Sequence, residues 1–462
     1  MKSLKKESLR DMTVGDPASL LLHFSIPLIL ANVLQQFCAV VDTAVVGQGA
    51  GLEAFSALGA VNGFQYMLNN VMMGLAMGYE VLFSQRYGAR EERALRQGAA
   101  ASLILTGGLS LGMLLLVQGM MVPVLRLMQV PESLMPQGIL YLRILACGIP
   151  VSLLLYVTTA ILRALGDSRT PFLSMTLMAV LNIVLDLLFV FDLQLGVAGA
   201  AYASLIAQAV SAAINFLQLL RLPALRPASA DFRTWRTHSG TLLRLCMPYA
   251  VMSFLAGASI MVVQGVTNGM GKAHIAGGAA AMKIANVVFI VQQAFSYAVS
   301  VYVGQNYGAG NRRRIIQGVR AAVVMACVTA VALGVPTYLL REPLMGLFIE
   351  KTDPAEYAAA IAAGSIWMFA FCSWIPMNYL IILRSAAQGM GATRIPILAG
   401  VAETVIRVVI SFLAVRYRPE WICWSHSISW VGIVLVSAVG YWILIRRMPE
   451  RDAAAPPAAR QL

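Results

Sequence analysis

Apolar residues occur along this chain in runs of about twenty, separated by short stretches that carry glycine, proline or charged residues. An α-helix rises about 1.5 Å per residue, so about 20 apolar residues cross the roughly 30 Å hydrocarbon core of a bilayer. Twelve such runs can be marked, near residues 18–46, 54–83, 95–122, 137–161, 171–191, 197–220, 240–265, 275–303, 315–340, 358–383, 395–415 and 422–445. The pattern predicts an all-α membrane protein with twelve transmembrane helices.

The composition agrees with a chain whose solvent is the bilayer. Hydrophobic residues make up 59% of the 462 positions and charged residues 12%, whereas soluble domains carry about 25% charged residues. The first apolar run has no small-residue cleavage site and is followed by equally apolar runs, so we interpret it as a span and not as a signal peptide. The six cysteines occur singly and without a CxxC pair, which favours small core residues over a redox role.

Positive charge is distributed unevenly between the two sets of connections. Of the 34 Lys and Arg residues, 25 lie on the side that holds both termini and seven on the opposite side. The positive-inside rule therefore predicts that both termini are cytoplasmic and that the number of spans is even, in a bacterial inner membrane. The net charge of +13 then faces anionic headgroups, so we expect membrane lipids and not nucleic acid as its partner.

Two motifs occur twice in the chain. Tyr87-Gly88-Ala89, followed by arginines and Gln97-Gly98, recurs 220 positions later, and the segment 166–171 is echoed by 391–396. Each lobe holds an even number of spans, so the two copies enter the membrane in the same direction. We therefore predict two pseudo-symmetric six-helix lobes related by an axis along the membrane normal, with the substrate path between them.

The repeats also predict the domain boundaries. The segments are a cytoplasmic N-terminal segment (1–15), a first lobe (16–221), a cytoplasmic linker (222–239), a second lobe (240–447) and a disordered cytoplasmic tail (448–462). The linker and the tail are rich in small and polar residues or in proline, and neither is assigned any chemistry.

Ionisable residues at membrane depth are costly and therefore rare, so each is a candidate for function. They are Asp42, Asp186, Lys283, Glu403 and Arg407. Glu403 and Arg407 are four residues apart on the eleventh helix, which predicts an internal ion pair with a structural role. Lys283 could pair with Glu403 or reach water at a cavity, and both alternatives stay open.

The candidates in the first lobe form a set of oxygen ligands. Asn182 and Asp186 are four residues apart and share one face of the fifth helix. Asp42, near the far end of the first helix, and Ser204, on the sixth, come to a similar depth. Carboxylate, amide and hydroxyl oxygens suit a hard cation such as Na⁺, and two close carboxylates can take up a proton instead. The alternative is that the two aspartates only cap or hydrogen-bond neighbouring helices.

A polar stripe follows one face of the first helix, formed by Asn32, Gln35 and Asp42. Pro27 lies below this stripe and favours a kink, because its ring removes one backbone hydrogen bond. In one interpretation the state of Asp42 alters how the bent helix packs, and in the other Pro27 is a static bend. Asn32, Gln35 and Lys283 are assigned to the substrate path. The histidines are dispersed, so no metal site is predicted beyond a Na⁺ ion at the oxygen ligands.

These motifs resemble those of the multidrug and toxic compound extrusion family over nearly the whole chain, from about residue 11 to 447. The matching stretches are Gly15 to Pro17, Phe24 to Pro27, Val41 to Thr43 with Val46-Gly47, Leu162 to Asp167 with Pro171, and Gly304 to Ala309. Together these stretches are specific, whereas any one of them alone would be weak.

The resemblance implies a V-shaped pair of six-helix lobes, alternating access, and exchange of Na⁺ or H⁺ for organic, often cationic, compounds. In that family the positions of Asp42, Asn182, Asp186 and Ser204 form the cation site of the first lobe. Some members also carry acidic residues in the seventh and tenth helices, but 244–265 and 358–383 contain none here. The resemblance therefore does not extend to a cation site in the second lobe, where Glu403 and Arg407 instead resemble the polar pair of other bacterial members. We expect an antiporter without catalytic residues or a cofactor, acting as a monomer.

Three other classes compete with this interpretation. The nearest is a flippase of lipid-linked oligosaccharides or lipid precursors, which would need several basic residues lining its cavity, while only Lys283 and Arg407 lie at membrane depth. A membrane-embedded enzyme is disfavoured because no HExxH motif or plausible Ser and His pairing occurs at that depth. A passive channel is disfavoured because titratable carboxylates within one lobe suit coupling better than conduction.

Overall fold

The computed structural model of the protein describes residues 9–49, 51–128, 130–349, 353–371 and 374–448. Within these ranges the chain forms α-helices joined by short turns, with 3₁₀ and π segments and no β-strand. The helices are α1 (Pro17–Gly49), α2 (Gly51–Gly88), α3 (Glu92–Leu127), α4 (Met135–Cys147), α5 (Ile149–Ala164), α6 (Arg169–Asp186), α7 (Gly196–Leu220), α8 (Trp235–Asn268), α9 (Lys272–Gly308), α10 (Arg312–Leu339), α11 (Arg341–Met345), α12 (Pro354–Phe371), α13 (Trp374–Gly389), α14 (Arg394–Arg416) and α15 (Ser425–Arg447). The predicted all-α fold is confirmed. Residues 1–8 and 449–462, which belong to the predicted terminal segments, lie outside the described residues.

The helices follow the predicted spans closely. Nine helices in the described ranges are long and apolar enough to cross a bilayer, and the pair α4 and α5 raises the number to ten. The two members of this pair are bent by 51° at Gly148, where Pro150 has no N–H to donate to the preceding turn. Helix α2 is less apolar because it carries polar residues such as Asn69 and Asn70, and α12 with α13 corresponds to the tenth predicted span.

The chain divides into two compact units. The first unit contains the described residues up to Asp11 together with Ile26–Ala250, and the second contains Met12–Ser25 together with the described residues from Val251 onward. The first therefore holds most of α1, all of α2 to α7 and the first half of α8. The second holds the start of α1, the rest of α8 and α9 to α15. The predicted lobe boundaries at 221 and 240 stay predictions.

The core of the first unit is formed by the inner faces of α2, α3, α5 and the start of α8. Large buried side chains such as Tyr79, Phe83 and Leu153 fill it. Gly78 lets α2 and α8 approach closely, because a Cβ atom there would lie 2.6 Å from the backbone nitrogen of Cys246. Small residues at such crossings are how membrane helices gain packing contacts without a hydrophobic driving force between them.

In the second unit, glycines likewise allow α9 and α12 to approach closely where they cross. A Cβ atom at Gly277 would overlap the carbonyl oxygen of Ala360 and would lie 2.6 Å from the backbone nitrogen of Gly364. Beside this crossing, Trp367 and Phe371 pack edge to face or tilted against each other and against the buried ring of His426. Close backbone contact and aromatic packing thus occur side by side at this crossing.

The first copy of the duplicated motif lies in the turn after α2 and holds the beginning of α8. Arg86 donates to the Ala94 carbonyl oxygen at 2.8 Å, and its guanidinium lies 3.4 Å from a ring nitrogen of His238. The other ring nitrogen of His238 lies 3.1 Å from the side-chain oxygen of Gln97. The arginine and the glutamine of the motif thus attach α8 to the first unit.

The second copy lies in the equivalent turn after α9 and holds the segment that precedes α1. The backbone N–H of Met12 donates to the side-chain oxygen of Gln305 at 2.9 Å, and Asn306 donates to the Met12 carbonyl oxygen at 3.1 Å. Arg314 donates to the Gly15 carbonyl oxygen at 2.8 Å. Each copy therefore anchors the beginning of a long helix, the first through the side chain of His238 in α8 and the second through the backbone before α1.

The second pair of motifs forms two tight turns, before α6 and before α14. Gly166 and Gly391 have φ values of 83° and 78°, in the left-handed region that only glycine adopts without strain. In the first turn, the carboxylate of Asp167 accepts hydrogen bonds from the backbone N–H groups of Arg169 and Thr170, both at 3.0 Å. This carboxylate satisfies two free donors at the start of α6.

Candidate functional site

An apolar cluster in the first unit brings together the ends of the helices that carry the predicted oxygen ligands. Its members come from α1, α2, α7 and the π-helical segment Leu187–Asp192, and they are Val41, Val45, Val46, Leu58, Val190 and Ala200. A Cβ atom at Gly49, at the end of α1, would lie 2.6 Å from the side chain of Val190. The end of α1 is therefore packed directly against the π segment.

Asp186 is the last residue of α6 and is fully buried, immediately before the π segment. In this segment the Leu193 N–H donates to the Leu188 carbonyl oxygen at 2.9 Å, one residue farther back than in an α-helix. Short π segments widen a helix locally and frequently mark functional sites. Nothing in the sequence analysis predicted this segment, because helical periodicity does not distinguish an i to i−5 bond from an i to i−4 bond.

The structure brings Asp42 of α1 and Asp186 of α6 together. Their carboxyl groups lie close enough to interact directly with each other. Tyr141 of α4, which is buried, lies within electrostatic range of both carboxyl groups and pairs with the side chain of Gln65 of α2. Tyr141 and Gln65 were missed by sequence reasoning, since it searched membrane depth for ionisable side chains and these two are neutral.

Several polar atoms at this position lack partners. Among the described residues, no hydrogen bond reaches Oδ1 of Asp42, either carboxyl oxygen of Asp186, or Nδ2 of Asn182, although all four atoms are buried. Buried polar atoms are nearly always paired, because each unpaired one costs about 1 to 3 kcal/mol and charged ones cost more. Unpaired carboxyl oxygens on two neighbouring acids are what a bound proton or a hard cation would satisfy.

The remaining predicted site residues of the first lobe lie on α1, α6 and α7. Asn182 is half-buried one turn before Asp186 on α6, and Ser204 is half-buried on α7, which packs along α6. On α1, Asn32 is half-buried and Gln35 is exposed. The helix continues through Pro27 from Pro17 to Gly49, so the predicted kink stays a prediction.

In the second unit, the predicted ion pair between Glu403 and Arg407 is present. Nη2 of Arg407 donates to Oε1 of Glu403 at 2.5 Å, and both residues are buried. Arg407 also donates through Nη1 to the hydroxyl oxygen of Ser259 on α8 at 2.7 Å. Arg384 of α13 lies 3.9 Å from the other carboxylate oxygen. Sequence reasoning had counted Arg384 among the connections, because an arginine near a helix end is indistinguishable there from one in a loop.

Lys283 of α9 is exposed, and its ammonium group lies 5.2 Å from the centroid of the Phe348 ring. Of the two alternatives from the sequence, the structure favours an exposed lysine over a pair with Glu403, whose carboxylate already has two arginine partners. No group of three or more His, Cys, Asp or Glu side chains suited to a metal ion occurs in the part of the chain that the structure describes. The two carboxylates with a nearby amide fit a singly charged hard cation better than a transition metal.

Long apolar helices in two units, with a buried pair of carboxyl groups in one of them, define a polytopic membrane transporter. The chain belongs to the MatE family, whose model matches residues 27–188 and 248–413, more than half of the chain. The resemblance noted from the motifs is therefore confirmed. The chain is a member of a family of multidrug efflux transporters.

Curated relatives and solved structures agree with this assignment. The chain is 28% identical over 438 residues to the probable multidrug resistance protein YoeA of Bacillus subtilis, which covers 91% of this chain and 92% of that protein. It is 25% identical to the probable multidrug resistance protein YpnP of the same species, over 88% of each chain. A structure described as the outward-facing conformation of a multidrug resistance MATE family transporter matches 97% of this chain and 99% of that chain, with a TM-score of 0.85 and 22% identity. This likeness confirms the predicted twelve-helix, two-lobed fold.

Proposed function

We propose that this protein is a secondary antiporter that exports organic, often cationic, compounds in exchange for H⁺ or Na⁺ by alternating access. The observation that carries the proposal is the pair of Asp186, which is buried, and Asp42, which is half-buried. Among the described residues, three of their four carboxyl oxygens are buried and have no hydrogen-bond partner. The proposal includes a bacterial inner membrane location with both termini in the cytoplasm, action as a monomer, and no cofactor or catalytic residues. The names of the multidrug resistance relatives support the substrate class.

The electrostatics of the pair explain how an ion could act on the fold. Two carboxylates about 4 Å apart repel each other by about 4 kcal/mol at an effective dielectric constant of 20. A proton or Na⁺ between Asp42 and Asp186 removes this repulsion and supplies the missing partner. Because Asp42 lies on α1 and Asp186 adjoins the π segment, loss of the ion should loosen the packing of α1 against this segment. The occupancy of the site is thereby coupled to the conformation of α1.

The same charges argue against a flippase of anionic lipid precursors. Arg407 is buried and neutralised by Glu403, and Arg384 shares that carboxylate. Lys283 is then the exposed cation among the residues predicted to line the path. A single ammonium group cannot neutralise a diphosphate headgroup, whereas an organic cation needs no basic side chain for its binding.

The test is transport of a fluorescent organic cation into inside-out vesicles under an imposed Na⁺ or H⁺ gradient. Wild type should accumulate the dye with one of the two gradients. Asp186→Asn should lose at least about 90% of this uptake, because an asparagine cannot take up and release the coupling ion as the carboxylate does. Asp192→Asn is the matched control, because Asp192 ends the same π segment but is exposed. Full uptake by Asp186→Asn, or headgroup translocation without dye transport, would overturn the proposal.

A further inference from the structure

A groove in the first unit runs along α5, away from the pair of aspartates. Helices α3 and α7 both pack on α5 and form its two walls. It encloses about 220 Å³, and the 3₁₀ turn Pro223–Leu225 together with Pro227 closes one end. The proposed transport function makes no use of this groove.

The lining of the groove is almost entirely hydrocarbon. Its few hydroxyl groups already donate elsewhere: Ser102 to the Gly98 carbonyl oxygen at 2.7 Å, and Thr106 to the Tyr79 hydroxyl at 3.1 Å. A hydroxyl has only one hydrogen to donate, so these groups hold none for a ligand. An anionic or carbonyl group in the groove would therefore lose its water without gaining a hydrogen-bond donor, whereas an alkyl chain needs none.

The groove opens toward the face of α3 that is turned outward. Leu103 and Gly107 line it, and Leu111 and Leu115 continue the same helical face at intervals of four residues. Leu111 and Leu115 are 55% and 66% exposed, on a helix long and apolar enough to cross a bilayer. The medium around this face is therefore lipid, and acyl chains are the available occupants.

An arginine lies at the closed end of the groove. Nε of Arg226 donates to the carbonyl oxygen of Leu220 at 2.5 Å, and Leu220, with the neighbours of Arg226 in sequence, lines the groove. Arg226 and Arg221 are exposed, and a guanidinium has five N–H donors, of which the bond to Leu220 uses one. Arg96, near this end of α3, is 3.7 Å from Asp231, whereas neither Arg226 nor Arg221 forms a salt bridge with an acid in the described ranges.

We propose that this groove binds an anionic phospholipid, with one acyl chain along α5 and the phosphate at Arg226 and Arg221. The apolar channel and the guanidinium groups match the two halves of such a lipid, since arginine binds phosphate in bidentate geometry. Basic pockets between membrane helices on the cytoplasmic side are a general mode of binding for anionic headgroups. The site is separate from the proposed ion site and does not depend on the proposed function.

Two neighbouring glycines of α3 allow a matched test. Gly107 lines the groove and Gly108 does not, and a Cβ atom at either meets nothing within 4 Å. Gly107→Leu therefore fills the groove, whereas Gly108→Leu makes the same chemical change outside it. Arg226→Gln removes the headgroup contact, with Arg418→Gln, an exposed arginine of the second unit, as its control.

The measurement is retention of phosphatidylglycerol by the purified full chain in native mass spectrometry, compared with phosphatidylcholine of the same acyl chains. We expect wild type to prefer phosphatidylglycerol by about tenfold, which is what one charge-assisted contact provides. Gly107→Leu and Arg226→Gln should each lower its retention by about tenfold, while the two controls stay within about twofold. Equal retention of both lipids, or equal loss in variant and control, would overturn the proposal.

A photoreactive phosphatidylglycerol provides a second measurement on the wild-type chain, independent of how the variants fold. Cross-links from a diazirine in its acyl chain should map to α3 residues 99–110 or α5 residues 150–161. Cross-links confined to other helices would contradict the assignment. Displacement by the transported dye instead of by unlabelled phosphatidylglycerol would contradict it as well, since the groove would then belong to the substrate path.

Discussion

The buried ion pair of the second unit yields a quantitative prediction about stability. In Glu403→Gln, Arg407 would keep the hydroxyl of Ser259 but would lose its carboxylate partner, with only 3% of its side chain exposed. Removing one partner of a buried pair costs about 3 to 5 kcal/mol, because the remaining charge cannot return to water. Arg384 adds little to this cost, since its side chain is 25% exposed and can turn toward solvent.

The assay is thermal unfolding of the purified full chain in detergent, followed by tryptophan fluorescence. A loss of about 3 kcal/mol should lower the melting temperature by about 6 to 12 °C, at about 2 to 4 °C per kcal/mol for a unit of this size. Glu342→Gln is the control, because the pair of Glu342 with Arg341 is exposed, with 63% of the glutamate side chain accessible. Exposed pairs contribute about 0 to 1 kcal/mol, so this variant should melt close to wild type.

A double variant distinguishes the cost of losing the salt bridge from the cost of leaving the Arg407 guanidinium buried without a carboxylate. Glu403→Gln combined with Arg407→Met removes both charges and leaves an apolar side chain of similar length, so the double variant should regain most of the lost stability. The reasoning would be refuted if Glu403→Gln melted like wild type, or if the double variant were less stable than the single one. Either result would mean that the buried guanidinium does not need its carboxylate.

Two further predictions concern packing and a turn. Gly277→Leu should abolish a monodisperse elution peak in gel filtration, because the new side chain would overlap the backbone of Ala360; Gly257→Leu, where a Cβ atom meets nothing within 4 Å, should elute like wild type. Asp167→Ala should lower the free energy of unfolding by about 1 kcal/mol through loss of a helix cap. Burial raises the pKa of the Asp167 carboxyl, so the folded chain holds this proton more tightly than the unfolded chain, and the contribution of this group to stability should rise as the pH falls. Asp167→Asn should lack that contribution when melting curves at pH 7 and pH 5 are compared, and an unchanged pH dependence would contradict this account.

Local features of the chain were predictable from the sequence. The length of each apolar run predicted its span, and spacing by four predicted that Glu403 contacts Arg407 and that Asn182 lies one turn from Asp186. These relations depend only on the geometry of a single helix. The approach of Asp42 to Asp186 was predictable from depth, because the membrane places residues of different helices on a common scale.

The partners across helices were decided by the tertiary structure. Ser259 is 148 residues from Arg407, and nothing in its own apolar run marks it as a ligand. Tertiary structure likewise placed Tyr141 near the two aspartates and Gln65 beside Tyr141. Neither residue stands out in the sequence, because a neutral side chain is not costly in a membrane helix.

By itself, the sequence determined that the chain is a membrane protein, which helices it forms, how its halves repeat and to which family it belongs. The tertiary structure decided that the aspartates have unpaired oxygens, that α6 continues as a π segment, and that an apolar groove along α5 ends near Arg226. The physical reason is that helix formation and membrane insertion are local, whereas the satisfaction of a buried polar atom depends on which residues of distant helices pack around it.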